Sequence, residues 1–253
     1  MTNPLASFDL SGKVAVVTGG SRGLGREMVL AFAAQGADVV IASRKLDQCE
    51  AVAAEVEALG RRALAVSCHV GNWGDLDALV AAAYDRFGKV DILVNNAGMS
   101  PLYPSPEDVT EALYDKVLDV NLKGPFRLSA LVGSRMAAGD GGCIINISSV
   151  ASLRPTPDVI PYAAAKAGLN AMTEAYARVW GPKVRVNAIV AGPFLTDISK
   201  AWDLDEFSKR AKTTMALGRG GEPHEVVGAA LYFASDASSF TTGALLRVDG
   251  GPR

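Results

Sequence analysis

The chain has 253 residues, 49 % hydrophobic and 21 % charged, a balance that excludes a disordered or collagen-like protein. Its 25 basic and 27 acidic residues give a formal charge of −2 and are intermixed, so no basic run offers a footprint for nucleic acid. No segment approaches the ~18 uninterrupted apolar residues of a membrane span. The opening MTNPLASFDLSGK does not read as a signal peptide, so a cytoplasmic location is expected.

Val14-Ala15-Val16-Val17 is apolar throughout and ends in glycines, which predicts a strand buried on both faces. A helix is expected from Arg22 to Gln35, with Gly36 as its stop. Asp38 to Ala42 predicts a second strand, and Lys45 to Leu59 an Ala-rich helix ending at Gly60. Ala63 to Ser67 and Trp73 to Phe87 repeat the pair, and Asp91 to Val94 is a fourth strand. The helical stretch from Pro106 to Ala138 contains Gly124-Pro125, where a break or bend is expected. Cys143 to Ser148 is a fifth strand, Tyr162 to Trp180 a helix and Val184 to Val190 a sixth strand. Glu222 to Ser235 is helical, and Ala244 to Val248 is a final strand.

This alternation implies an α/β protein with a parallel sheet between helices. No linker or repeat interrupts residues 1–253, so a single domain is expected. Residues 194–221 are polar, carry Trp202 and Phe207, and have the length of a lid. Cys49, Cys68 and Cys143 show no metal-ligand spacing; they read as reduced, buried thiols, and no metal is expected. Asn146-Ile-Ser148 is a formal glycosylation sequon, but it lies in an apolar run expected to face the core.

Thr18-Gly19-Gly20-Ser21-Arg22-Gly23-Leu24-Gly25 joins the first strand to the first helix. That is the context of a dinucleotide-binding turn, although the spacing is G-x3-G-x-G. Glycines let backbone N–H groups approach a pyrophosphate, and the helix N-terminus favours the anion. Gly19, Ser21, Arg22, Gly23, Leu24 and Gly25 are therefore candidate cofactor residues. NAD-binding sites place a carboxylate at the end of the second strand, for the ribose 2′-hydroxyl. Here Ile41-Ala42-Ser43-Arg44-Lys45 has none, and Asp38 is at the wrong end. Arg44 and Arg22 suit a 2′-phosphate instead, which favours NADP(H), with NAD(H) as the alternative.

Tyr162 and Lys166 are four apart at the start of a predicted helix, hence on one face. A free phenol is a poor acid-base catalyst near neutrality, and a nearby ammonium together with a cationic nicotinamide would lower its pKa. Ser149 precedes Tyr162 by 13 residues, Asn95-Asn96-Ala97-Gly98 ends the fourth strand, and Asn121 lies in the following helix. With TGGSRGLG and the terminal Val248-Asp249-Gly250-Gly251, these motifs resemble, in order and spacing, the classical short-chain dehydrogenase/reductase family. The resemblance covers essentially the whole chain. It implies a Rossmann fold with a seven-stranded, doubly wound parallel sheet, helices on both faces and a substrate lid.

The resemblance assigns Tyr162 as the general acid in reduction and the base in oxidation. Ser149 would bond the substrate oxygen, and Lys166 the nicotinamide-ribose hydroxyls. Asn121 would hold a water linking Lys166 to solvent. Ser148 competes for the serine role, but neighbours on a strand face opposite ways and the spacing favours Ser149. Asn95, Ala97 and Gly98 would lie beside the adenosine ribose, Ile189 and Thr196 beside the nicotinamide, and Ser43, Val70 and Gly192 along the cofactor. His69 stands where family members often carry an acid that bonds the adenine amino group. Ala191 stands in the place of the family's proline before Gly192.

Met99, Leu102, Ala151, Leu153, Phe194 and Trp202 are candidate linings of a mostly apolar substrate pocket. A small carbonyl or alcohol suits it, and a carrier-bound 3-oxoacyl thioester is a further candidate because Arg135 and Arg178 could meet an acidic carrier. The family resemblance implies a homotetramer. Two readings compete with an NADP(H)-dependent carbonyl reductase: an NAD(H)-dependent dehydrogenase of a sugar, sugar acid or secondary alcohol, and a non-catalytic cofactor-binding regulator on the same fold.

Overall fold

The computed structural model describes residues 7–196, 199 and 203–251. Seven strands, β1 (Val14–Thr18), β2 (Asp38–Ser43), β3 (Ala63–Ser67), β4 (Ile92–Asn95), β5 (Gly142–Ser149), β6 (Val184–Ala191) and β7 (Leu245–Val248), form one sheet. Their order is β3-β2-β1-β4-β5-β6-β7, and every pair is parallel. All the C-terminal strand ends therefore lie along one edge. The chain reverses its direction of winding between β1 and β4, where ligands bind in open α/β sheets.

The strands alternate their side chains between two cores. Ala15, Val17, Val39, Ile41, Ile145 and Ile147 face one layer, with helices α1 (Gly23–Ala34), α2 (Leu46–Ala58) and α8 (Val227–Ala234). Val16, Val40, Ala42, Leu93 and Ile144 face the other, with α3 (Trp73–Phe87), α5 (Gly124–Ala138) and α6 (Ile160–Trp180). Burial on both faces is why these strands read as unbroken apolar runs.

The stretch expected to break at Gly124-Pro125 contains α4 (Glu111–Leu118), a π-turn over Asp119–Lys123, and then α5. Pro125 has no N–H to give the Asn121 carbonyl, which is one reason regular winding fails there. A Cβ on Gly124 would lie 2.2 Å from the Val70 carbonyl, so the helix start packs backbone to backbone against the loop after β3. The helix expected at 222–235 opens with a tight turn over Pro223–Val226 before α8.

The stretch read as an unpatterned lid contains helix α7 (Leu204–Thr214). Asp203 caps it, accepting from the N–H groups of Asp205 and Glu206 at 3.1 and 3.0 Å. Phe207, Ala211 and Met215 form its inner face with Leu195. Both ends of this segment are anchored. Leu195 N–H donates to the Gly221 carbonyl at 2.8 Å, and Leu217 N–H to the Gly250 carbonyl at 3.0 Å. Trp202 lies outside the described residues.

Candidate active site

The turn after β1 is held by β4. The Thr18 hydroxyl accepts from Asn96 N–H at 3.0 Å and Ala97 N–H at 3.2 Å, and donates to the Val94 carbonyl at 3.2 Å. Asn96 Nδ2 donates to the Thr18 carbonyl at 2.8 Å and the Gly19 carbonyl at 3.2 Å. Gly19 has φ +64°. A Cβ on Gly25 would fall 2.2 Å from the Gly19 carbonyl, so this glycine lets α1 sit directly beneath the turn. The N-cap residue Arg22 makes no side-chain cap, and no acid occupies the first turn of α1. The first-turn N–H groups are thus open to an anion.

A groove of about 1480 Å³ runs along the strand ends. It is larger than the ~300–1,000 Å³ of ordinary ligand pockets. Gly19, Ser21, Arg22, Gly23 and Leu24 line it, as do Ser43, Arg44, His69 and Val70 at the ends of β2 and β3. Ala97, Gly98, Ser149, Tyr162, Lys166, Gly192 and Thr196 line the remainder. One turn, two cationic side chains and the hydroxyl-amine cluster thus share one channel, and the donor set fits a pyrophosphate-containing dinucleotide.

The Ser149 hydroxyl stands close enough to the Tyr162 phenol to draw its pKa down, and both line the groove. Lys166 Nζ lies 5.8 Å from the centre of the Tyr162 ring and donates to the Ile147 carbonyl at 2.8 Å. Lys166 is buried, and loss of hydration brings its amine down from 10.5 to about 8. Burial pushes the Tyr162 phenol above its ordinary value, and the nearby Ser149 hydroxyl only partly offsets this. The Lys166 amine lies over the ring and gives one hydrogen bond to the Ile147 carbonyl, and burial outweighs what lowers the phenol. The phenol is therefore protonated near neutral pH.

Asn121 is fully buried. Its Nδ2 donates to the carbonyls of Met99 at 2.8 Å and Val117 at 2.9 Å, and its Oδ1 accepts from Met99 N–H at 3.2 Å. Both Nδ2 protons are committed, which leaves acceptor positions on Oδ1 and on the Asn121 main chain for a water. A Cβ on Gly98 would lie 3.0 Å from Asn121 Oδ1 and 3.6 Å from Lys166 Nζ, so glycine there keeps the three groups close.

Several expected positions sit elsewhere. Asn95 faces the core, donating to Ser129 Oγ at 2.9 Å and Asn146 Oδ1 at 2.8 Å. Its neighbour Asn96 faces the turn, because successive strand residues point opposite ways. Gly25 lies beneath the turn and Ile189 in the core. Gly192 lines the groove, but its lack of a side chain serves packing: a Cβ would lie 2.5 Å from Asp249 Cα. Ser148 is buried, with Ser152 Oγ at 3.4 Å and the Lys166 carbonyl at 3.5 Å. His69 Nδ1 accepts from Gly71 N–H at 3.2 Å, which leaves Nε2 as the donor of the neutral ring. Met99, Leu102, Leu153 and Phe194 line the groove; Ala151 instead donates its N–H to Ser149 Oγ at 3.2 Å. Cys68 and Cys143 are buried, with thiols pushed up to about 12 and about 11 by loss of hydration, so they are inert.

Residues 19–252 match the family model described as enoyl-(acyl carrier protein) reductase. The human dehydrogenase/reductase SDR family member 4 is 35 % identical over 244 residues, covering 96 % of this chain and 88 % of that protein. The chain belongs to the short-chain dehydrogenase/reductase family. It is accordingly an oxidoreductase, and its fold is the Rossmann type of that family. L-rhamnose 1-dehydrogenase (NAD(P)(+)) of Azotobacter vinelandii is 40 % identical over 247 residues, 94 % of this chain and 96 % of that one. The solved 7α-hydroxysteroid dehydrogenase complexed with NADH and 7-oxo glycochenodeoxycholic acid superposes with a TM-score of 0.94 at 34 % identity, covering 100 % of this chain and 98 % of that one.

Proposed function

We propose that this short-chain dehydrogenase/reductase interconverts a carbonyl and a secondary alcohol with NADP(H), using Tyr162 as general acid and base. The observation that carries the reading is the convergence of Ser149, Tyr162 and Lys166 in the groove that also holds the glycine-rich turn. The nicotinamide cofactor supplies or accepts the hydride when bound. Ser149 donates a hydrogen bond to the substrate oxygen. Tyr162 gives that oxygen a proton in reduction and withdraws it in oxidation. Lys166 binds ribose hydroxyls and carries positive charge beneath the phenol. The turn, with Ser21, Arg22 and the first N–H groups of α1, holds the pyrophosphate.

The NADP(H) assignment rests on Arg44 and Arg22, both lining the groove, and on the lack of a carboxylate at the end of β2. An NAD(H)-dependent sugar or alcohol dehydrogenase is the second reading, supported by the rhamnose enzyme's stated use of either cofactor. The substrate is a small carbonyl or alcohol compound, and a carrier-bound 3-oxoacyl thioester is retained as a candidate. The unit is one cytoplasmic domain with a lid over residues 194–221. Exposed Phe126 on α5, Val179 on α6 and Leu246 on β7 support a homotetramer.

The deciding measurement is the dissociation constant of NADPH and of NADH for the wild type and for Arg44→Ala. The wild type is expected to prefer NADPH by at least about tenfold, roughly 1.4 kcal/mol, and the variant to lose that preference. Equal wild-type affinities overturn the NADP(H) assignment. A panel of a cyclic ketone, ethyl 3-oxobutanoate, a carrier-bound 3-oxoacyl thioester and, in oxidation, an aldose then ranks the substrates. Cofactor binding with no turnover on the whole panel favours a non-catalytic regulator.

A further inference from the structure

Helix α6 carries both Tyr162 and Lys166, yet its own sequence does not cap it. The N-cap residue is Val159, which has no side-chain acceptor, and Pro161 supplies no N–H. The capping comes from another segment. Tyr103, in the loop after β4, accepts from the Ile160 N–H at 2.6 Å and donates from the same hydroxyl to the Pro157 carbonyl at 3.0 Å. Its one donor and one acceptor are both used on the backbone that opens α6, two residues before Tyr162.

The same loop is fixed at its other end. Met99 is held by Asn121, and a Cβ on Gly98 would come within 3.6 Å of Lys166 Nζ, so this end of the loop passes beside the lysine. Between these anchors, Ser100 and Leu102 line the groove; across from them, Thr156 and Asp158 line it on either side of Pro157. The Tyr103 hydroxyl therefore joins the two loops that bound the substrate end of the groove. Tyr103 is not itself among the groove-lining residues.

We propose that Tyr103 is a positioning residue for the reaction: by capping α6 from the facing loop, it fixes the first turn of that helix and so aims the Tyr162 phenol at the substrate oxygen. The inference rests on the functional reading above, in which Tyr162 transfers the proton. A phenol on a loose first turn still binds in the groove, but it spends less time within proton-transfer distance. The effect belongs on the chemical step and not on cofactor affinity.

The test compares Tyr103→Phe and Tyr162→Phe with the wild type, using NADPH and the carbonyl of the panel that the wild type reduces best. Tyr103→Phe keeps the ring and removes both hydrogen bonds. Its kcat is expected to fall about tenfold, with KM, NADPH dissociation constant and thermal midpoint near wild type. The deuterium isotope effect on kcat with 4-deuterated NADPH is expected to rise, because transfer becomes more rate-limiting. Amide exchange in the first turn of α6 is expected to quicken without a change elsewhere. Wild-type kcat in Tyr103→Phe, with Tyr162→Phe inactive, overturns this inference alone. A fall in kcat matched by weaker NADPH binding or a lower thermal midpoint also overturns it, because the residue then serves only stability. Activity retained in Tyr162→Phe overturns the functional reading beneath it.

Discussion

Asn121 and Met99 are joined by two hydrogen bonds, the asparagine amide pairing with both the N–H and the carbonyl of Met99 as a neighbouring strand would. The third bond, to the Val117 carbonyl, satisfies a backbone group within the helix. Asn121→Ala strands these groups in a buried site. Each orphaned group costs about 1–3 kcal/mol. The variant is expected to lose about 3 kcal/mol in urea unfolding, and a loss under about 1 kcal/mol would show that water replaces the amide.

Tyr162→Phe removes the transferable proton and leaves the shape of the groove intact. Acid-base groups contribute about 10²–10⁴-fold, so turnover is expected to drop by that range while NADPH affinity stays within about twofold. Fluorescence titration and steady-state rates measure the two quantities. Near-wild-type turnover contradicts the role given to the phenol.

Lys166 is held at about 8 in the fold against an ordinary 10.5. Between these values the unfolded chain keeps a proton that the folded chain has lost. The residue's penalty on stability is therefore full below pH 8 and fades as pH rises through that window. The raised Tyr162 phenol and the raised Cys68 and Cys143 thiols act in the opposite sense, since they stay protonated in the fold. A difference between two proteins isolates the lysine. Lys166→Met, without cofactor, is expected to exceed the wild type at pH 7 by about 1–2 kcal/mol after losing its bond to Ile147, and the lead should shrink towards pH 10. No lead at pH 7 refutes this account of the buried amine.

Two glycines make opposite predictions. Gly25→Ala drives a methyl against the Gly19 carbonyl, 2.2 Å away, and must displace the turn. Overpacking of this kind costs about 1–3 kcal/mol, and NADPH affinity is expected to fall at least about tenfold. Gly228, inside α8, has nothing within 4 Å of its would-be Cβ. Gly228→Ala is expected to stabilise the protein by about 0.5–1 kcal/mol without changing cofactor affinity. Calorimetry of both variants checks the pair, and an unaltered affinity in Gly25→Ala contradicts the packing argument.

The strands were legible because double-sided burial writes them as apolar runs, and the turn because glycines cluster at a strand end. Helix α7 was not, since its inner face offers only Phe207, Ala211 and Met215, one residue per turn, in a charged background. Of the Asn95-Asn96 pair, the sequence points to Asn95 as the groove residue, and the structure puts Asn96 there. Two identical side chains on a strand end carry no mark of which faces the turn, and only the bonds from Asn96 to Thr18 and Gly19 decide it. Tyr103 could not be read at all, because its partners lie 54 and 57 residues away and are backbone atoms. The protonated phenol of Tyr162 is likewise invisible in the sequence, since it follows from how deeply the folded chain buries that hydroxyl.

The buried pair Asn95 and Asn146 sits at matched positions of β4 and β5, and Asn146 passes the chain of hydrogen bonds on to Thr173 of α6 at 2.9 Å. Sliding either strand by one step would leave these amides facing apolar neighbours. The pair thus works as a detent between two parallel strands that backbone bonding alone could align in more than one way. Gly98 follows one asparagine by three residues, and Ser149 follows the other by three. The level at which substrate and cofactor meet is consequently set inside the sheet, below the groove, before any loop has taken shape.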